Sequence, residues 1–376
     1  MMDFLDFEAL RSIGLSLPLL QQLPSLEFDD ATRLLRVVEV QREHLLLHDG
    51  QAEQRARLAT ALVERLQLAD DAVAVGDWVL ARPEAVGASP GLLQITERLV
   101  PQTQLARRVN DGRGSPRRQI LVSNIDLALL VMGLDHDFNP RRLERYLALV
   151  RLAGVDALLV LTKADTVDAA QLARRTAQAR SVLPATMNLV ALDARDGTAA
   201  ATLQAWAAPG QTLVLLGSSG AGKSTLTNTL TGLHSGQGGQ FTGAVRADDS
   251  RGRHTTTVRT LRQTAAGACI IDTPGLRALR LDVGDEDQLA EVFGDVAQWA
   301  TQCRFRDCQH QQEPGCAVRE AVPPERLRNF QKLLREARRD TMTALERRDQ
   351  LSAWKARGRE GAQRAKAKRS DRAGSG

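Results

Sequence analysis

At 376 residues, 43% apolar and 25% charged, the chain is too long for one core and too apolar for disorder, so two or three globular domains are expected. No run approaches the ~20 apolar residues that span a bilayer, and Met1-Met2-Asp3 lacks the basic start of a secretory signal, so a cytoplasmic monomer with no membrane role is expected. Four cysteines argue against a disulfide scaffold, and the net charge of +5 is uneven, because residues 351–376 hold eight basic side chains against two acidic ones.

In chain order, residues 1–32 read as a leader with helical patches and no chemical motif. Over 33–110 short β-type runs follow, at Leu34–Val40, Leu45–His48, Arg57–Val63, Asp77–Ala81 and Leu92–Leu99, with a tight-turn signal at Asp49-Gly50. Such spacing predicts a small barrel, OB-fold-like. Gly112 to Arg118 is a basic, breaker-rich linker. From about Ile120 strands and helices alternate, with strands at Ile125–Met132, Ala157–Leu161, Asn188–Leu192, Thr212–Leu216 and Ala268–Ile271. Helices are expected at Arg141–Leu152, about 168–182, near 198–206 and from Lys223 to Thr231. That alternation predicts a parallel α/β sheet over 118–280. Gly236 to Gly252 reads as a mobile polar loop, 281–345 as a helical domain, and 346–376 as a disordered basic tail, either solvated or bound to a polyanion.

Gly217-Ser218-Ser219-Gly220-Ala221-Gly222-Lys223-Ser224, followed by Thr225, fits G-x-x-x-x-G-K-[ST] between a strand and a helix. Glycines let backbone N–H groups close on a polyphosphate, Lys223 reaches the β- and γ-phosphates, and the Ser224 hydroxyl faces Mg²⁺. Thr162-Lys163-Ala164-Asp165 is the base reader: one carboxylate accepts from guanine N1–H and its 2-amino group, while the Lys163 stem covers the base. Thr162 stands where Asn is usual and keeps fewer hydrogen bonds. Asp272-Thr273-Pro274-Gly275 offers a water-mediated magnesium carboxylate and a γ-phosphate N–H. Within Arg253-His254-Thr255-Thr256-Thr257, Thr256 is the expected magnesium threonine. Leu276 replaces the usual water-orienting Gln, so slow intrinsic hydrolysis is expected, with His254 or a partner supplying the missing group. The base reader precedes the phosphate loop, which reverses the usual order but keeps the cyclic one. The pattern is that of a circularly permuted GTP-binding domain.

Cys303, Cys308, His310 and Cys316 lie within fourteen residues and form a Cys₃His set suited to one closed, structural Zn²⁺. A disulfide, which a reducing cytosol disfavours, and inert buried thiols are the alternatives. Cys269 reads as a core residue.

Through these motifs the chain resembles the ribosome small-subunit-dependent GTPase A family (RsgA/YjeQ) over about 33–345. The resemblance implies an OB-fold, a permuted GTPase domain and a zinc-binding domain. It also implies GTP hydrolysis stimulated by the 30S subunit, contact with 16S rRNA, and a role in late small-subunit maturation. The family's base-contacting serine motif is replaced by Ala191-Leu192-Asp193, where a contact would come from the backbone. Two other readings stay open, a permuted assembly GTPase acting on the large subunit and a non-enzymatic rRNA-binding scaffold.

Overall fold

The computed structural model describes residues 6–26, 29–84, 91–109, 117–232, 259–273 and 293–341. They fall into two compact units, one drawn from 1–107 and 118–281, the other from 108–117 and 282–376.

The first unit begins with α1 (Phe7–Ser12), capped by the Asp6 carboxylate accepting from the Ala9 N–H, and α2 (Leu17–Leu20). Leu10, Ile13, Leu15, Leu19 and Leu23 are buried, so the leader belongs to a core. Next come β1 (Arg33–Val40), β2 (Leu45–His48), β3 (Glu53–Leu58), α3 (Thr60–Leu68), β4 (Trp78–Pro83) and β5 (Leu93–Arg98). Pairing runs β1-β2-β3-β5-β4 and returns to β1, which closes a five-stranded barrel. Alternate residues fill it: Leu35 and Val37 from β1, Val79 and Ala81 from β4, Leu93 and Ile95 from β5. The strand expected over Arg57–Val63 is corrected here. Strand β3 ends at Leu58, and Leu62 and Leu66, at helical spacing, turn α3 onto the barrel core.

The expected linker is also shorter. The chain forms β6 (Gln104–Val109) and β7 (Arg117–Ser123), a two-stranded sheet, so regular structure resumes at Arg117, while 110–116 lie outside the described residues.

Strands β8 (Leu127–Gly133), β9 (Asp156–Thr162), β10 (Leu189–Ala191), β11 (Thr212–Leu216), β12 (Thr260–Gln263) and β13 (Cys269–Asp272) build the second sheet. Helices α4 (Pro140–Leu152), α5 (Ala169–Arg180), α6 (Thr198–Leu203) and α7 (Lys223–Thr231) connect them. Strand order is β10-β9-β8-β11-β13-β12, parallel except for β12. Leu129, Val131, Leu158, Val160, Leu213, Leu215 and Ile270 pack with Leu203, Leu226 and Leu230 of the helices. The pair Glu39↔Thr260 joins β12 to β1 and so joins sheet to barrel.

Arg36 of β1 is fully buried. Its guanidinium donates to the carbonyls of Ile13, Asn124 at 3.1 Å and Gly76 at 3.4 Å, and to Thr212 Oγ1 at 2.9 Å. It also lies 5.7 Å from the Trp78 ring centroid. Leader, barrel and sheet thus share one cation.

In the second unit, α8 (Gly294–Ala300), α9 (Ala317–Ala321) and α10 (Pro324–Thr341) surround buried Phe293, Val296, Val318, Leu327, Phe330 and Leu333. Phe293 and Phe330 rings sit 5.2 Å apart, and Arg326 pairs with Asp295 at 2.5 Å while lying 4.9 Å over Phe293.

Replacing Arg36 by Met keeps the stem and deletes every donor. It should destabilise the first unit by about 3 kcal/mol, because buried acceptors lose their partner. Calorimetry should show its transition roughly 10 °C lower. Unchanged melting would mean that the network holds nothing together.

Candidate nucleotide-binding site and metal centre

In a parallel sheet the loops after the strands gather at the carboxyl edge, where ligands bind. Strands β9, β8, β11 and β13 are successive neighbours, so the motifs that end β9, β11 and β13 meet there.

The phosphate loop runs from Gly217 to Gly222 between β11 and α7. A Cβ at Gly217 would stand 2.3 Å from the Val131 carbonyl oxygen, so only glycine allows this approach to β8. Gly222 has φ +94°, the left-handed region, and turns the chain into α7. The Lys223 ammonium donates to the carbonyls of Gly217 at 2.9 Å and Ser218 at 2.6 Å, which folds it over the loop. Ser224 and Thr225 occupy the first turn of α7, while Ser219, Gly220 and Ala221 complete the curve. Backbone N–H groups at this helix start suit an anion.

Thr162 ends β9 fully buried, and its hydroxyl donates to the Ala221 carbonyl at 2.6 Å. That bond ties the base-reader motif directly to the phosphate loop. Lys163 is left-handed, φ 60° and ψ 37°, a strained conformation for a residue with a long side chain. Its ammonium donates to Asp135 Oδ2 at 2.7 Å. Burial raises the Asp135 pKa, but Lys163 and the Asp137 N–H outweigh it and hold the carboxyl below its ordinary value. Ala164 and Asp165 follow in a single 3-10 turn, and the Ala164 N–H donates to the Leu192 carbonyl. Asp165 is a third exposed and pairs with Arg195 at 2.5 Å; Arg195 also reaches Asp193 at 3.2 Å.

Asp272 ends β13. Burial pushes its carboxyl pKa above the ordinary value, and Arg262 and Lys223 offset this only in part. Thr273 beside it is fully buried, donating to the Leu215 carbonyl at 2.6 Å. Ser224 at the start of α7 and Asp272 are hard oxygen donors of the kind Mg²⁺ takes, so the donor set fits that ion. His254, Thr256, Pro274, Gly275 and Leu276, like the loop 236–252 and the tail 346–376, lie outside the described residues.

Several neighbours escaped the sequence reading. Asp135 and Asp137 follow β8; Asp137 accepts from the Ser218 hydroxyl at 2.6 Å and from Arg142 at 2.7 Å. An Asp-x-Asp one residue past a buried strand was the available signal. Arg195 carries no sequence signal of its own, lying just past Ala191-Leu192-Asp193, of which Ala191 ends β10.

In the second unit the ligand atoms of Cys303, Cys308, His310 and Cys316 all lie within 4.8 Å of one another. Cys303 Sγ and Cys316 Sγ are 3.9 Å apart, and both stand 3.5–3.6 Å from His310 Nδ1. A tetrahedral Zn²⁺ with the usual bond lengths separates two sulfurs by about 3.8 Å and sulfur from nitrogen by about 3.6 Å. These separations therefore fit zinc. Burial raises the Cys303 thiol pKa, yet the backbone N–H groups of Val318 and Ala317, at the start of α9, outweigh it and lower it. His310 has φ 56° and its carbonyl accepts from Gln331 of α10, which fixes the imidazole's backbone.

A family model described as RsgA GTPase matches residues 99–282. The small ribosomal subunit biogenesis GTPase RsgA of Xylella fastidiosa strain 9a5c is 47% identical over 264 residues, 69% of this chain and 72% of that protein. The small ribosomal subunit biogenesis GTPase RsgA 2 of Vibrio vulnificus strain CMCP6 is 39% identical over 339 residues, 89% and 90% of the two chains. Among solved structures, YjeQ from Thermotoga maritima superposes with a TM-score of 0.57 at 23% identity, covering 81% of this chain and 98% of that one. YloQ, described as a circularly permuted GTPase, superposes with a TM-score of 0.55 at 20% identity, over 84% and 99%. At those identities the two structures speak for the fold, a barrel followed by a circularly permuted GTPase sheet. At 39–47% identity over most of both lengths, the relatives decide the family, and the chain belongs to the RsgA GTPases.

Proposed function

We propose that this chain binds GTP with Mg²⁺ at the carboxyl edge of the β8–β13 sheet, hydrolyses it when docked on the small ribosomal subunit, and thereby promotes late maturation of that subunit in the cytoplasm. The observation that carries the reading is the meeting of a phosphate loop and a T-K-x-D base reader, linked by the Thr162–Ala221 hydrogen bond. The names of the relatives, small ribosomal subunit biogenesis GTPases, supply the partner.

In this reading residues Gly217 to Thr225 cradle the phosphates, with Lys223 swinging from the loop carbonyls onto the β- and γ-phosphates. Magnesium, when bound, neutralises charge between those phosphates. Ser224 and Thr256 would ligate it, Asp272 would hold it through water, and Gly275 would meet the γ-phosphate. Asp165 would leave Arg195 for the guanine edge while Lys163 lies along the base face. Leu276 has no atom to orient water, so His254 or a group of the ribosome does so.

Zinc at Cys303, Cys308, His310 and Cys316 would act structurally, since four protein ligands leave no position for substrate. Beside it an open cleft of about 570 Å³ is lined by Gln309, Gln312, Arg319, Arg328, Gln331 and Arg335. Guanidinium and amide donors on one surface suit phosphodiester and base edges, which supports contact with 16S rRNA.

Three measurements test this. GTP turnover by the purified protein should be slow and should rise at least about tenfold with small subunits, the scale on which a supplied transition-state group acts. Equal stimulation by large subunits would point to the other ribosomal partner. Asp165→Asn should weaken GTP binding about a hundredfold, as a charge-assisted pair is lost, and strengthen XTP binding; unchanged GTP affinity sinks the base reader. Elemental analysis should find one zinc per chain. Cys308→Ser should lose it and melt the second unit early, because structural zinc is worth ~10–16 kcal/mol in small domains. Zinc-free, stably folded protein would remove the metal.

A further inference from the structure

Strand β8 lies between β9, which ends in the base reader, and β11, which ends in the phosphate loop. Its own terminal loop, Gly133 to Asp137, is therefore flanked by both motifs, and it carries two carboxylates two residues apart. We propose that Asp135 and Asp137 are positioning residues of the nucleotide site: Asp137 fixes the phosphate loop through Ser218, and Asp135 fixes the base reader through Lys163. The proposal rests on the nucleotide reading above and adds to it what sets the distance between the two motifs.

Asp137 is nine-tenths buried. The Ser218 hydroxyl lies 2.6 Å from both of its oxygens, and the Arg142 guanidinium donates to Oδ1 at 2.7 Å, so the buried charge is compensated. The Gly133 N–H reaches Oδ2 at 3.4 Å. Ser218 directly follows Gly217, which packs so near Val131 of β8 that an added Cβ would stand 2.3 Å from its carbonyl oxygen. Two consecutive residues of the phosphate loop are thus placed, Gly217 by close packing on β8 and Ser218 by a short charge-assisted bond to the loop after it. On the other flank, Asp135 Oδ2 accepts from Lys163 at 2.7 Å, and exposed His136 stands 3.4 Å from the same oxygen. A left-handed lysine needs such restraint, because its strain persists only where the surroundings over-determine it. The Asp135 carboxylate is tied to the backbone of Asp137, whose N–H donates to Asp135 Oδ1 at 3.0 Å. A displacement at either motif is thereby opposed by the same five-residue loop.

The two arms differ in what they predict. Asp137 acts on the phosphates and Asp135 on the face of the base. Asp137→Ala should weaken GDP binding about tenfold, the scale of a hydrogen bond to a charged group, and change GMP binding far less, since the loop's cradle embraces the β-phosphate. Asp135→Ala should weaken GDP and GMP by one common factor, about threefold, because both carry the same base. Ser218→Ala should reproduce the Asp137→Ala loss, and the double variant should lose no more than either alone. Titrations with fluorescent GDP, and competition by GMP, on the full chain read all of these; Ser218→Ala removes one hydroxyl and serves if Asp137→Ala fails to fold. Additive losses, equal GDP and GMP effects of Asp137→Ala, or full affinity in Ser218→Ala would overturn the proposal. A parent protein that fails to bind GDP would instead remove the nucleotide reading, and this inference with it.

Discussion

One buried cation organises the first unit. A guanidinium out of water is tolerated only where its donors find acceptors, and Arg36 draws them from four stretches of chain: Ile13, Gly76, Asn124 and Thr212. None of these is near another in sequence, so the leader, barrel, connector and sheet must all be in place before the charge is satisfied. The packing follows suit. A Cβ at Gly14 would stand 2.2 Å from Arg36 Nη1, and one at Gly210 would stand 2.6 Å from the Arg11 carbonyl oxygen. Thr212 begins β11, the strand whose other end is the phosphate loop. The leader is thereby fastened to the root of the strand that carries the nucleotide motif.

Permutation leaves this geometry intact because a sheet is defined by its neighbours and not by the order in which they are joined. With β9, β8, β11 and β13 adjacent and parallel, the base reader, the Asp135–Asp137 loop, the phosphate loop and Asp272 arrive at one edge whichever strand is made first. What permutation changes is what can be attached. Strand β12 is antiparallel and would be an open edge, a liability for a sheet. Here β1 of the barrel pairs with it. The edge is met at Glu39↔Thr260 by the chain's own barrel.

The sequence was legible where a residue pattern has one physical meaning. Buried β-branched and leucine runs located β8, β9 and β11, and fixed spacings located the Gly217–Gly222 loop, the Thr162–Asp165 motif that shares its sheet edge, and the Cys₃His cluster. It was less legible where two meanings compete. Arg57–Val63 is apolar enough for a strand, but Leu62 and Leu66 need the helical period to reach the barrel core together. The basic stretch before Gln119 looked like linker, although β6 and β7 pair around it; Arg107 Nε donates to Gln119 Oε1, a cross-strand contact that composition cannot announce. Arg36 could not be read at all, because an arginine in an amphipathic strand is ordinarily exposed. Its acceptors are brought together only by folding.

The carboxylates at the carboxyl edge raise a last physical question, since a polyphosphate is repelled by loose negative charge. Asp135 is paired with Lys163, Asp137 with Arg142 and Ser218, and Asp165 with Arg195, all at 2.5–2.7 Å. Each charge is compensated within the protein, so three of the four do not oppose an anion. Asp272 differs: it has no ion pair within 4.0 Å among the described residues, and burial keeps its pKa raised against the fields of Arg262 and Lys223. A buried carboxylate with no salt-bridge partner, beside a phosphate loop, gains from any cation that comes with the phosphates. That is the condition a magnesium–nucleotide complex meets and a bare nucleotide does not. The sorting of charges is what the proposed magnesium–nucleotide complex would need, with Asp272 the one of these four carboxylates that has no ion pair among the described residues.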